Sequence, residues 1–174
     1  DIDNVGYSRP SNFLFAGHGD DVVSGGTGVD ILIGGNGKDR LSGNEGNDWL
    51  AGGIDNDELF GGDGNDTLKG DIGDDALNGG EGDDELFGGN GADTIFGGDG
   101  ANRIFGEAGE DVIFGGDDVD DIWGGDQNDI VYGNGGNDRM EGNAGDDLIF
   151  GGFGDDLVDG GDGDDKLWGN EGGD

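Results

Sequence analysis

Aspartate returns every nine residues along most of this 174-residue chain, and glycines precede it each time. A carboxylate beside flexible glycine backbone offers two kinds of oxygen donor: its own oxygens and the carbonyls that glycine lets approach closely. The chain has no cysteine and a single histidine, His18. A donor set of carboxylate and carbonyl oxygen, without thiolate or imidazole, suits a hard cation. Calcium fits it better than magnesium, because calcium accepts 6–8 oxygens in flexible geometry.

The spacing is strict. From Ala16 to Trp168 the chain divides into 17 blocks of nine without insertion or deletion, for example GGTGVDILI (25–33), GGDGNDTLK (61–69), GGEGDDELF (79–87) and GGDGDDKLW (160–168). The consensus is G-G-x-G-x-D-x-U-x, with U a large aliphatic residue. Position one is Gly except for Ala16, and position six is Asp except for Asn102. Position eight is Val, Leu, Ile or Met throughout. Residues 169–174 (GNEGGD) are a partial block, which reads as a truncated repeat. Residues 1–15 keep the phase faintly: Asp3 and Asn12 fall at position six, Val5 and Leu14 at position eight. This lead-in reads as a degenerate capping turn, since end repeats are usually atypical, or as a boundary inside a longer array.

A period of this kind predicts a solenoid. Positions one to six are turn chemistry, because Gly, Asp and Asn tolerate φ > 0. Asp55 and Asp118 at position four fit that need, as do Asn44, Asp71, Asn134 and Asn143 at position two; Gln127 and Glu107 fit it less well. Positions seven to nine read as a short strand with position eight pointing inward. Two blocks then make one coil of 18 residues. Stacked coils form two facing parallel sheets, expected to wind right-handed. The fold class is all-β, a right-handed parallel β-roll of about eight and a half coils. At a strand spacing of ~4.8 Å it would be a rod roughly 40 Å long.

Stacking block n on block n+2 places the position-six residues in two columns. One holds Asp21, Asp39, Asp57, Asp75, Asp93, Asp111, Asp129, Asp147 and Asp165. The other holds Asp30, Asp48, Asp66, Asp84, Asn102, Asp120, Asp138, Asp156 and Asp174. Carboxylates stacked so closely repel unless a cation lies between them. One ion in every gap would amount to about 16 calcium ions, or about +32 against a formal charge of −36. Asn102 loses a charge, so the two gaps beside it should bind more weakly.

Composition narrows the alternatives. Asp and Glu number 43 against 7 Lys and Arg, and apolar residues are only 30%. Taken without its period, such a chain fits a solvated acidic tail as well as a fold. Nucleic acid is an unsuitable partner, because phosphate contacts need Lys and Arg. The longest apolar runs, such as Ile31-Leu32-Ile33, fall far short of a spanning helix. Residues 1–15 lack the basic start and apolar run of a signal peptide.

The blocks resemble the hemolysin-type, or RTX, nonapeptide repeat of secreted bacterial proteins, and the resemblance covers nearly the whole chain. It implies a β-roll with calcium held between adjacent turns. The position-six aspartates named above would give carboxylates, and the preceding Gly-rich residues carbonyls. It also implies type I secretion, folding in extracellular calcium and a monomeric module. Such modules occur in toxins, proteases, lipases, epimerases, adhesins and surface-layer proteins. The chain is then a calcium-binding module, an adhesive segment, or the calcium-binding part of a secreted enzyme.

The remaining signals are weak. Gly35-Asn36-Gly37-Lys38 hints at a phosphate loop, but Asp39 stands where Ser or Thr is required. Asp1-Ile2-Asp3 resembles the start of an EF-hand loop, with Val5 at a ligand position. His18 occupies a variable turn position and has no nucleophile paired with it, so the chain reads as non-enzymatic. Aromatics at position nine fall on two outer faces: Phe96, Phe114, Tyr132, Phe150 and Trp168 on one, Phe87, Phe105 and Trp123 on the other. They read as a cross-strand ladder or as a surface for a neighbouring domain or partner.

Overall fold

The computed structural model describes residues 5–9 and 11–173, with side-chain surroundings for 11–170 and 172–173. Asp174, Asp3 and the EF-hand-like start at Asp1 lie outside the described residues or their described side chains. Among the described residues nineteen strands follow one another, from β1 (Val5–Arg9) and β2 (Phe13–His18) to β18 (Leu157–Asp162) and β19 (Lys166–Glu171). Odd-numbered strands form a ten-stranded sheet and even-numbered strands a nine-stranded sheet. Every pairing is parallel, and all but the first keep a strict offset of 18, as in Leu68↔Leu86↔Ile104↔Ile122. The chain is therefore a β-solenoid of two repeats per coil. Its lead-in joins in phase, with Val5 opposite Val23 and Leu14 opposite Leu32, though the register of β1 slips between Gly6 and Arg9.

Strands are longer than the sequence suggests. Most run six residues, from position seven to position three of the next block, as in Thr67–Ile72 (TLKGDI). The glycines at positions one and two, expected in turns, lie within the strands, and position two pairs in the ladder, as in Gly89↔Asp71. Position one faces inward and carries no side chain except at Ala16. The residue at position two bends the strand with φ > 0: Asp71 lies at 76° and Glu107 at 75°. Gln127, at position four, lies at 83°. Glu107 and Gln127 thus take the left-handed conformation, which costs an ordinary residue ~1–2 kcal/mol. Asp118 departs from expectation the other way and is not among the positive-φ residues.

The core is a single file of aliphatic side chains. All position-eight residues from Val23 to Ile149 are buried, and Leu14 and Val158 pack partly against them. One such residue per nine leaves little apolar area to hold the coil.

Outside the sheets, position nine stacks its aromatics. Phe96–Phe114, Phe114–Tyr132 and Tyr132–Phe150 have centroids 4.9 Å apart, and Phe150–Trp168 4.8 Å. On the other face Phe87, Phe105 and Trp123 stack at 5.0 and 4.6 Å. These distances are the strand spacing itself, so the parallel register sets ring on ring and turns ring edges to solvent. Among the described residues four cations cover such rings, including Arg40 over Phe60 at 4.3 Å and Lys69 over Phe87 at 4.7 Å. Arg103 also pairs with Glu85 at 2.6 Å, an exposed pair of small value.

Because each coil is held through one inward residue per strand, Leu68→Ala should be costly. A loss of about 2–5 kcal/mol is expected in chemical denaturation at saturating calcium. A loss below about 1 kcal/mol would mean that the aliphatic file is not the core.

Candidate metal centre

The turn proper is positions four to six, ending on the column residue. Position-six side chains from Asp21 to Asp147 are almost fully buried. From Asp30 on, each is aimed back at the previous coil, where one oxygen, Oδ1, accepts the backbone N–H of the residue 18 earlier. Asp57 N–H donates to Asp75 Oδ1 at 2.7 Å and Asp75 N–H to Asp93 Oδ1 at 2.7 Å. The first column runs in this way from Asp21 to Asp165. The second runs from Asn12, which donates its N–H and Nδ2 to Asp30 Oδ1, through Asn102 to Asp156. The structure thus brings together all the predicted column residues it describes.

The second oxygen of each carboxylate has a different fate. Fourteen described aspartates, from Asp21 to Asp147, bury Oδ2 with no hydrogen-bond partner. A buried carboxylate oxygen left without a donor is costly, and a native fold rarely tolerates a whole file of them. The orphaned atoms converge on space kept open by the position-one glycines. A Cβ built on Gly133 would stand 2.6 Å from Asp138 Oδ2 and 2.5 Å from the carbonyl oxygen of Gly151, one coil on. At Gly115 the same point lies 2.5 Å from Asp120 Oδ2 and 2.9 Å from Gly133 O. Each cradle joins a carboxylate of one coil to a carbonyl of the next. Among the described residues, no three acidic or histidine side chains gather around one point. A cation here would take one carboxylate per repeat and draw its remaining donors from the backbone. Those oxygens fit calcium. The first repeat differs, because Ala16 carries a real, buried methyl where the others leave space.

Electrostatics point the same way. Burial pushes the Asp57, Asp84 and Asp129 carboxyls up to about 7 and Asp93 to about 8. The N–H bond from the previous coil partly opposes this, and column neighbours such as Asp111 beside Asp93 add to it. Without a counter-charge these groups resist ionisation at neutral pH.

Position five escaped the sequence reading. Asn65 N–H donates to Asn47 Oδ1 at 3.1 Å, Asp83 N–H to Asn65 Oδ1 at 3.2 Å and Ala101 N–H to Asp83 Oδ1 at 2.9 Å. This exposed ladder runs opposite to the position-six ladder and satisfies N–H groups at the turn. Its signal was the frequent Asn or Asp just before the column residue. His18 is exposed on β2, away from the cradles.

The family model described as the RTX calcium-binding nonapeptide repeat matches the chain in overlapping segments: 11–32, 24–59, 33–68, 60–95, 69–104, 87–122, 96–131, 114–149, 132–167 and 141–174. No curated protein matches it. No helix among the described residues is long and apolar enough to cross a membrane.

Two outcomes follow from this geometry. Carboxyls raised in the fold hold more protons folded than unfolded between about pH 4 and about pH 8. That stabilisation is complete below the unfolded value and lost as pH rises through the folded values. In chelator, β-structure measured by circular dichroism should therefore increase from about pH 8 to about pH 5; no change with pH would contradict the buried columns. Separately, Gly133→Ala places a methyl in its cradle. It should weaken calcium-dependent thermal stabilisation, whereas a cradle lying elsewhere would leave the calcium-induced rise in Tm as in wild type.

Proposed function

The chain belongs to the RTX calcium-binding nonapeptide repeat family, and from that premise we propose that its turn cradles couple calcium binding to folding outside the cell. The observation that carries the reading is the file of buried, unpartnered Oδ2 atoms facing position-one carbonyls. Bound calcium would supply the positive charge that lets these carboxylates stay ionised while buried. Asp21, Asp30, Asp39, Asp48 and their column mates from Asp57 to Asp165, Asn102 apart, are the proposed carboxylate donors, with Asp174 in the same phase.

The chain's own residues explain the coupling. Each Oδ1 ties its turn to the coil before, and each Oδ2 faces a carbonyl of the coil after. Ionising an empty column would leave like charges stacked one coil apart, against a core of one aliphatic residue per repeat. Unfolding relieves that repulsion, and a filled cradle removes it. Binding energy thus becomes folding energy, and it should be cooperative between neighbouring coils. Affinity per ion would lie in the range of extracellular modules, about 10⁻⁴–10⁻³ M. A chain unfolded at cytosolic calcium and folded in millimolar calcium suits type I secretion, the route implied for this family. The role proposed is structural rather than catalytic, stabilising whatever protein carries it.

A calcium titration at about pH 7.5, followed by far-UV circular dichroism, tests this. A sigmoidal gain of β-structure is expected, with magnesium much less effective. A chain already β-rich in excess chelator and unchanged by calcium would falsify the proposal.

A further inference from the structure

One step of the second column is built differently from the others. In the turn 97–102 the column residue is Asn102. Its Oδ1 accepts the N–H of Asp84 at 3.0 Å, as an aspartate would. That bond fixes the amide, because turning it over would set a donor against a donor. The atom left to face the cradle is then Nδ2. A Cβ on Gly97 would lie 2.8 Å from it, where other repeats present a carboxylate oxygen. Nδ2 donates to Gly100 O at 3.1 Å.

The coil above is altered as well. Its strand β13 (Val112–Gly116) stops one residue early, and neither Gly116 nor Asp118 has positive φ. In most coils the position-four N–H donates to a backbone carbonyl one coil on, as Gly82 does to Asp99 O at 3.1 Å. Here Gly100 N–H donates instead to Asp118 Oδ2, at 3.0 Å. Two departures from the repeat, eighteen minus two residues apart in sequence, thus meet across one gap and bond to the same glycine.

We infer that the gap between turns 97–102 and 115–120 takes no calcium and is closed by the side chains of Asn102 and Asp118. The inference rests on the calcium reading of the other cradles. It sharpens the sequence expectation of two weakened gaps: the cradle below is intact, since Asp84 keeps an unpartnered Oδ2 facing Gly97 O. The ion file on this edge therefore divides. One string is anchored on Asp30, Asp48, Asp66 and Asp84, and another resumes at Asp120. The opposite edge runs unbroken.

Equilibrium dialysis of the full chain at saturating calcium would count the ions. The double variant Asn102→Asp/Asp118→Gly should bind one more ion than wild type, and Asp84→Asn one fewer. Calcium-soaked wild-type crystals give a second measurement that needs no variant. Anomalous density is expected between Asp84 and Gly97 and absent between Asn102 and Gly115. Density in the latter gap, or an unchanged count in a folded double variant while Asp84→Asn loses its ion, overturns this inference and leaves the calcium reading standing. A wild type that binds no calcium overturns both.

Discussion

Parallel stacking of identical turns at one strand spacing is the constraint from which the rest follows. A period-18 coil sets like on like at every level. For apolar residues this is favourable, and the aliphatic file and the two aromatic stacks result from it. For aspartate it is not, because it lines up buried negative charges in two columns. The fold meets half of that difficulty itself. From Asp30 on, each column carboxylate gives Oδ1 to a backbone N–H of the coil before, so the columns also serve as staples between coils. The other half is left to Oδ2, which has no protein donor. A chain this poor in apolar residues thus concentrates its unmet demand in one repeated atom, and the same atom makes its folding conditional.

Residues whose role depends on type and period were legible in sequence. Position eight is aliphatic throughout and is buried from Val23 to Ile149, and position six, acidic but for Asn102, lies in columns offset by 18. What was hidden depends on backbone direction. Glycines at positions one and two look like turn residues, yet they continue the strands, with position one facing inward beside a carboxylate. Glu107 and Gln127 look poorly suited to left-handed backbone and adopt it, keeping the register of the coils on either side. Asp118 looks suitable and does not. The ladder at position five was obscured by its tolerance of Lys38 and Ala92, which have no side-chain oxygen to continue it, and of Val119 in the irregular turn 115–120.

Asn102 shows the limit of reasoning from residue type. By composition it is an aspartate short of one charge. In the column it is an aspartate whose second oxygen has become a donor, because the first is already committed to Asp84. Only the polarity of the ladder, with N–H groups pointing one way along the rod, reveals which amide atom is left over. The irregular turn that holds Asp118 lies one coil above, so a local change of chemistry and a local change of backbone share one place.

The mismatch between a nine-residue sequence unit and an eighteen-residue structural unit bears on how such an array can lengthen or shorten. Gain or loss of two repeats slides everything downstream along the rod and leaves each side chain on its own face. Gain or loss of one repeat also moves every downstream block to the opposite sheet. Removing 106–114, for instance, would set Tyr132 above Phe105 and Trp123 above Phe96, and each stack would inherit the other's continuation. Aliphatic and acidic positions are indifferent to such an exchange, since both faces use them alike. Only the decoration at position nine records parity. Beyond Tyr132 the two faces differ, with Phe150 and Trp168 on one sheet and Glu141 and Asp159 on the other, so a single-repeat change there would trade rings for carboxylates.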